Sequence, residues 1–252
     1  MRIVSLVPST TETLFALGAG DTVVGRTAFC LLPEAARAVP EIGGTKTPDI
    51  ARIAALRPDL ILVNAEENRA EDVARLMRVA PVHSFYPHTV QDAIADLVVL
   101  GMVVGRAAEG AALAAQACDL LAGVRVVAHP FRYAYLIWRR PWMAVGAGTY
   151  VADLLRQAGG VNAFADASLP YPAVTPEDLF ARAPDVVFLS SEPYPFAERQ
   201  ADELARLAPS AEMWRRRMEL VDGRACGWHG VALLDGLAWL RGFSLAHQAQ
   251  SV

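Results

Sequence analysis

Short apolar runs alternate with stretches of helical spacing along almost the whole chain. The runs Ile3–Val7, Thr22–Gly25, Leu60–Val63, Val82–Phe85, Tyr133–Trp138, Val186–Leu189 and Glu219–Val221 read as strands. Between them, Thr11–Leu17, Ile50–Leu56, Ala70–Val79 and Tyr150–Ala158 carry apolar residues at helical intervals. This alternation predicts an α/β fold with mostly parallel sheets covered by helices.

The pattern also repeats. Leu56-Arg57-Pro58-Asp59 leads into the apolar run Leu60–Val63 and a polar step, Asn64-Ala65-Glu66. Arg182-Ala183-Pro184-Asp185 leads into Val186–Leu189 and Ser190-Ser191-Glu192 in the same way. Upstream of each lies a helix start, Thr47-Pro48-Asp49 and Thr175-Pro176-Glu177, in which threonine can cap, proline suits the first turn and the acid meets the positive dipole end. Earlier still, Leu14–Gly18 and Leu154–Gly159 are helices stopped by glycine. Any one of these units is common in α/β proteins; their shared order predicts two Rossmann-like lobes. Thr89–Val124 joins the halves, with helix to about Leu100, a break at Gly101–Gly105 and an alanine-rich helix over Ala107–Leu121. The expected division is an N-terminal lobe over 1–100, a bridging helix over 101–127 and a C-terminal lobe over 128–252.

Composition narrows the partners. The 252 residues carry 23 basic and 27 acidic side chains, a net charge of −4, without the basic excess of a nucleic-acid surface. The longest strongly apolar run, Leu97–Gly105, is too short to span a bilayer. No apolar leader with a cleavage site precedes the first strand, so a cytoplasmic location is expected for the chain as written, and a periplasmic or extracellular one if a leader has been removed. Three widely spaced cysteines, Cys30, Cys118 and Cys226, suit neither a disulfide framework nor a zinc knuckle. A monomer is expected.

In open α/β sheets, ligands bind outside the carboxyl ends of the strands, and two facing lobes would bring both sets of ends to one cleft. The segments there hold Phe29, Lys46, Asn68, Arg69 and Tyr86 in the first half. In the second they hold Trp138, Arg139, Arg140, Trp142, Tyr171, Tyr194, Trp228 and His229. Aromatic rings with arginine forks suit a bulky ligand that is partly flat and partly polar. Trp138 beside two guanidiniums resists burial more than an isolated tryptophan would.

At these loops the sequence resembles the helical-backbone periplasmic binding protein family, which includes cobalamin and ferric-siderophore receptors of ABC importers. The resemblance rests on Arg2-Ile3-Val4-Ser5-Leu6-Val7-Pro8-Ser9-Thr10-Thr11-Glu12, Ile53 to Leu62, Gly159-Gly160-Val161-Asn162-Ala163-Phe164, Tyr171 to Leu179 and Val221 to Trp228. It implies two α/β lobes bridged by a long helix and a bound cobalamin, haem or ferric siderophore, with no intrinsic cofactor. Phe29, Lys46, Tyr86, Trp142, Tyr171 and Trp228 fall at pocket-like positions. It also implies docking on an ABC permease through one acid per lobe, here Glu67 or Glu71 and Glu192 or Glu198. The Glu66–Arg69, Trp138–Trp142 and Ser190–Phe196 segments resemble a leaderless branch.

Other functions leave weaker marks. No nucleophile elbow, Walker loop or dinucleotide fingerprint follows a strand, so no enzyme is expected. Glu66 and Glu67 could act as acid and base in an enzyme, such as one that processes a metal chelate, although adjacent acids after a strand are usually solvated. The five histidines, His83, His88, His129, His229 and His247, form no HxH or HExxH pair. His229 is the best single metal or axial-ligand candidate. A cytoplasmic chelate sensor or carrier is the remaining alternative.

Overall fold

The computed structural model describes residues 1–127 and 129–249, with side chains to residue 246. The side chain of His247 therefore lies outside the described residues. The chain divides into two units. The first comprises Met1–Pro87, Gln91–Gln116 and His229–Ala232; the second comprises His88–Val90, Ala117–Trp228 and the chain from Leu233 onward. Residues 101–116, expected in a separate bridging segment, thus group with the first unit.

The first unit runs β1 (Ile3–Ser5), α1 (Pro8–Ala16), β2 (Val23–Arg26), a small hairpin of β3 (Gly43–Gly44) and β4 (Thr47–Pro48), and α2 (Ile50–Ala55). It continues with β5 (Leu60–Asn64), α3 (Ala70–Leu76), β6 (Val82–Phe85), α4 (Val90–Val103) and α5 (Ala107–Ala122), whose ends lie in the second unit. The sheet is parallel, in the order β2-β1-β5-β6. β5 is buried at every position, as expected of a strand covered on both faces. Its side chains alternate between two cores. Leu60 and Leu62 pack with Leu14, Leu17 and Leu100, whereas Ile61 and Val63 pack with Ile53 and Leu76.

Gly101, expected as a helix break, lies inside α4. A Cβ there would fall 2.9 Å from the Cα of Gly110 in α5 and 2.7 Å from the Arg106 carbonyl oxygen. Glycine at both positions lets the two helices touch backbone to backbone, and the turn follows at Gly105, with φ of 72°.

The second unit contains β7 (Phe131–Trp138), β8 (Trp142–Ala144), α6 (Tyr150–Arg156), β9 (Gly160–Asn162), β10 (Ala173–Val174), α7 (Pro176–Ala181) and β11 (Val186–Ser190). α8 (Glu198–Arg206), α9 (Ala211–Arg216), β12 (Met218–Val221), α10 (Gly223–Gly227) and α11 (Ala232–Ala249) follow. Its sheet has the order β10-β8-β7-β11-β12, with β9 beside the first half of β7. β7, β11 and β12 are parallel; β8 and β10 add antiparallel strands beyond the seven expected from the sequence. Val187 and Leu189 face one core with Ala134, Leu136 and Trp214. Phe188 faces the other, within 5.7 Å of the Phe243 ring and 5.8 Å of Trp239 in α11.

The internal repeat is present down to single hydrogen bonds. Arg57 and Ala183 occupy equivalent left-handed turns, with φ of 46° and 47°. Arg2 N–H donates to Asp59 Oδ2 at 2.7 Å and Arg2 Nε to the Leu56 carbonyl at 3.0 Å. Arg132 N–H donates to Asp185 Oδ2 at 2.7 Å and Arg132 Nε to the Arg182 carbonyl at 2.9 Å. Each Pro-Asp step is thus pinned to the strand it enters beside. No helix among the described residues is long and apolar enough to cross a membrane.

Candidate functional site

In the first unit, the loop after β5 is built by two asparagines. Asn64 Oδ1 accepts from Glu66 N–H at 2.8 Å and Glu67 N–H at 3.2 Å, which fixes its amide so that Nδ2 faces His229 Nε2 at 3.1 Å. Nδ2 can only donate, so Nε2 must accept and the imidazole is neutral. Burial pushes His229 down to about 4, in keeping with that assignment. In this arrangement Nε2 is the hydrogen-bond partner of Asn64.

Asn68 is also structural. It is buried, its Oδ1 accepts from Asn64 N–H at 2.9 Å, and its Nδ2 donates to the Thr45 carbonyl at 2.9 Å. It ties the β5 loop to the hairpin that carries Lys46. Arg69 is exposed, 3.8 Å from Glu71. Burial raises the Glu67 carboxyl, opposed by Lys46 and assisted by Glu66. Phe29 and Tyr86 are 61% and 47% exposed, unusual for rings of that size. Thr11 Oγ1 lies 2.8 Å from Ser5 Oγ and 3.0 Å from Cys30 Sγ, which closes the polar floor at the end of β1.

Asp96 on α4 was not anticipated from sequence. It shares a water-sized cavity with Thr10, Thr13, His229 and Gly230. Its Oδ2 is buried without a hydrogen-bond partner. Burial, with Asp92 nearby, raises its carboxyl to about 6. A raised carboxyl destabilises the fold when ionised, so this cost is absent below its ordinary pKa of 3.8, grows as pH rises from there, and is fully present above about 6. Asp96→Asn is therefore expected to stabilise the protein at pH 7.5 by about 1 kcal/mol, discounted for partial exposure. The gain should vanish below about pH 4 in paired denaturation curves. A constant gain across pH would show that charge is not the cause.

In the second unit, the β7–β8 hairpin and the loop after β11 form an aromatic layer. Trp142 stacks on Phe196 with centroids 5.8 Å apart and planes 6° apart, and it packs against the core. Trp142, expected at a pocket, is half-buried. Trp138 is 40% exposed and meets Tyr194 edge-on at 5.8 Å. Arg139 is ion-paired with Glu203 of α8 and lies 5.7 Å over Trp142, whereas Arg140 is exposed. Tyr171 and Trp228 are half-buried, and the Trp228 indole donates to Glu192. Burial is the main cause raising the Glu192 carboxyl, and that hydrogen bond opposes it. Glu198 is ion-paired with Arg215. Among the described residues, no group of three or more His, Cys, Asp or Glu side chains is placed to hold a metal.

The sequence matches the periplasmic binding protein family over residues 3–215. The chain belongs to this family. It is a family of binding proteins rather than of enzymes. This member is 28% identical over 193 residues to the vitamin B12-binding protein of Vibrio cholerae serotype O1, covering 75% of this chain and 70% of that one. Its fold is similar to the periplasmic haem-binding protein of Roseiflexus sp. RS-1 in apo form, with a TM-score of 0.81, 25% identity and coverage of 100% and 99% of the two chains. It is also similar to the periplasmic vitamin B12 binding protein of Vibrio cholerae, with a TM-score of 0.78, 22% identity and coverage of 98% and 97%. Asp96 and Glu203 carry no mark in the sequence, whereas Asn64 ends a buried strand as a polar step and Phe196 lies in the segment after β11.

Proposed function

We propose that this protein is a substrate-binding protein for a bulky metal chelate, of the cobalamin, haem or ferric-siderophore class, and that it performs no chemistry on its ligand. One observation carries the reading: exposed rings and cations stand at strand carboxyl ends in each unit, Phe29, Tyr86 and Lys46 in the first and Trp138 and Arg140 in the second. Large exposed rings grouped with cations mark a binding surface rather than a solvated one. The relatives named above bind vitamin B12 and haem, which supports the same ligand class here.

The role that fits is the receptor component of an ABC importer, acting outside the cytoplasm as a monomer. Glu71 and Glu198 have arginine partners. Permease docking would use one acid per unit, Glu67 or Glu71 in the first and Glu192 or Glu198 in the second. A cytoplasmic carrier would use the same binding surface, and cell fractionation separates the two roles. Titration with cobalamin, haem and ferric siderophores, followed by tryptophan fluorescence and calorimetry, should give saturable binding to one class with a Kd in the micromolar range or tighter. Failure to bind any of them, with turnover of a small substrate, would overturn the reading.

A further inference from the structure

The adjacent arginines at the tip of the β7–β8 hairpin are in opposite situations. Arg139 is engaged by Glu203 and by the Trp142 face. Arg140 is exposed and makes no hydrogen bond or ion pair among the described residues. Its φ is 70°, a left-handed turn that glycine or asparagine would occupy with less strain. The fold gains nothing from a guanidinium at that position.

Two residues earlier, the exposed Trp138 indole is held in place. The β7–β8 register slips between Leu136 and Trp138, so a bulge re-aims the strand end. The Ile137 carbonyl at the bulge accepts from Tyr194 N–H at 3.3 Å, and the Tyr194 ring meets the indole edge-on. The hairpin thus carries a fixed exposed ring and, two positions along the chain, an unpaired planar fork.

We propose that this hairpin tip recognises a flat ligand bearing carboxylates, with Trp138 against its face and Arg140 pairing with a carboxylate. Arginine matches a carboxylate with two parallel hydrogen bonds, and an indole offers the largest rigid apolar face. The inference rests on the chelate-binding reading above and narrows it to an anionic, carboxylate-bearing macrocycle, as against a corrinoid rimmed by neutral amides.

The test compares iron protoporphyrin IX, its dimethyl ester in the same detergent, cyanocobalamin and a ferric hydroxamate, titrated into the full chain. The wild type should bind the diacid at least about tenfold more tightly than the diester. Arg140→Ala should abolish that preference while leaving the diester unchanged. Arg140→Gly should do the same with an equal or higher melting temperature, which separates lost recognition from unfolding. Trp138→Ala should weaken diacid and diester alike. Equal affinity for diacid and diester in the wild type, or a preference that survives Arg140→Ala, would overturn the inference. Binding of cyanocobalamin or the hydroxamate without either porphyrin would sink it and leave the chelate-binding reading standing. Binding of none of the four would remove both.

Discussion

Phe188→Ala is expected to lower the unfolding free energy by about 3–5 kcal/mol, the range for emptying a well-packed aromatic site. Phe188 is fully buried at the middle of β11, between β7 and β12. Its ring lies 6.3 Å from Tyr133, 6.2 Å from Tyr135, 5.8 Å from Trp239 and 5.7 Å from Phe243. Those rings belong to a strand and a long helix, so they cannot slide inward to fill the space as loop side chains could. The loss therefore includes burial, the edge-on ring contacts and a persistent cavity. Urea denaturation followed by far-ultraviolet circular dichroism checks it. A cost below about 1 kcal/mol would mean that the aromatic wall collapses freely. Phe188→Leu, which keeps most of the volume, should cost less than about 1.5 kcal/mol.

The second large effect is at Asn64. Its side chain satisfies two loop N–H groups and one imidazole nitrogen at once. Asn64→Ala leaves all three without that partner and is expected to cost about 2–3 kcal/mol. Asn64→Asp discriminates between the bonds. One carboxylate oxygen can still accept from Glu66 and Glu67 N–H, but the other then faces His229 Nε2, and two acceptors cannot bond without a proton. His229 should take that proton, so its pKa should rise from about 4 by more than one unit, as read by NMR titration. A raised imidazole pKa stabilises the fold below that pKa and the gain is lost as pH rises through it. Asn64→Asp should therefore compare best with the wild type near pH 5 and worst near pH 8. An unmoved His229 titration would show that the Asn64 contact does not set the imidazole's state.

The seven strands foreseen from sequence are all present; β5 and β11 are apolar at nearly every position and buried throughout, as strands covered on both faces are. The duplication was legible for a related reason. A Pro-Asp step after a helix is a local device, and both copies keep the same turn and the same arginine–aspartate pinning. β8 and β10 were not legible. They hold three and two residues, and their extended shape comes from pairing across the sheet rather than from their own pattern.

Chain connectivity alone places loops at strand ends, so the sequence by itself determined which segments carry rings and cations. It could not determine which of those groups are available. Glu203 neutralises Arg139 from 64 positions away, Phe196 takes the Trp142 face into the core, and Asn64 claims His229 across 165 positions. Hydrogen bonds and ring stacking need atoms a few ångströms apart, and only the tertiary fold brings such distant positions to that range. The exposure of Trp138 and Arg140, beside the engagement of Trp142 and Arg139, was therefore decided by packing.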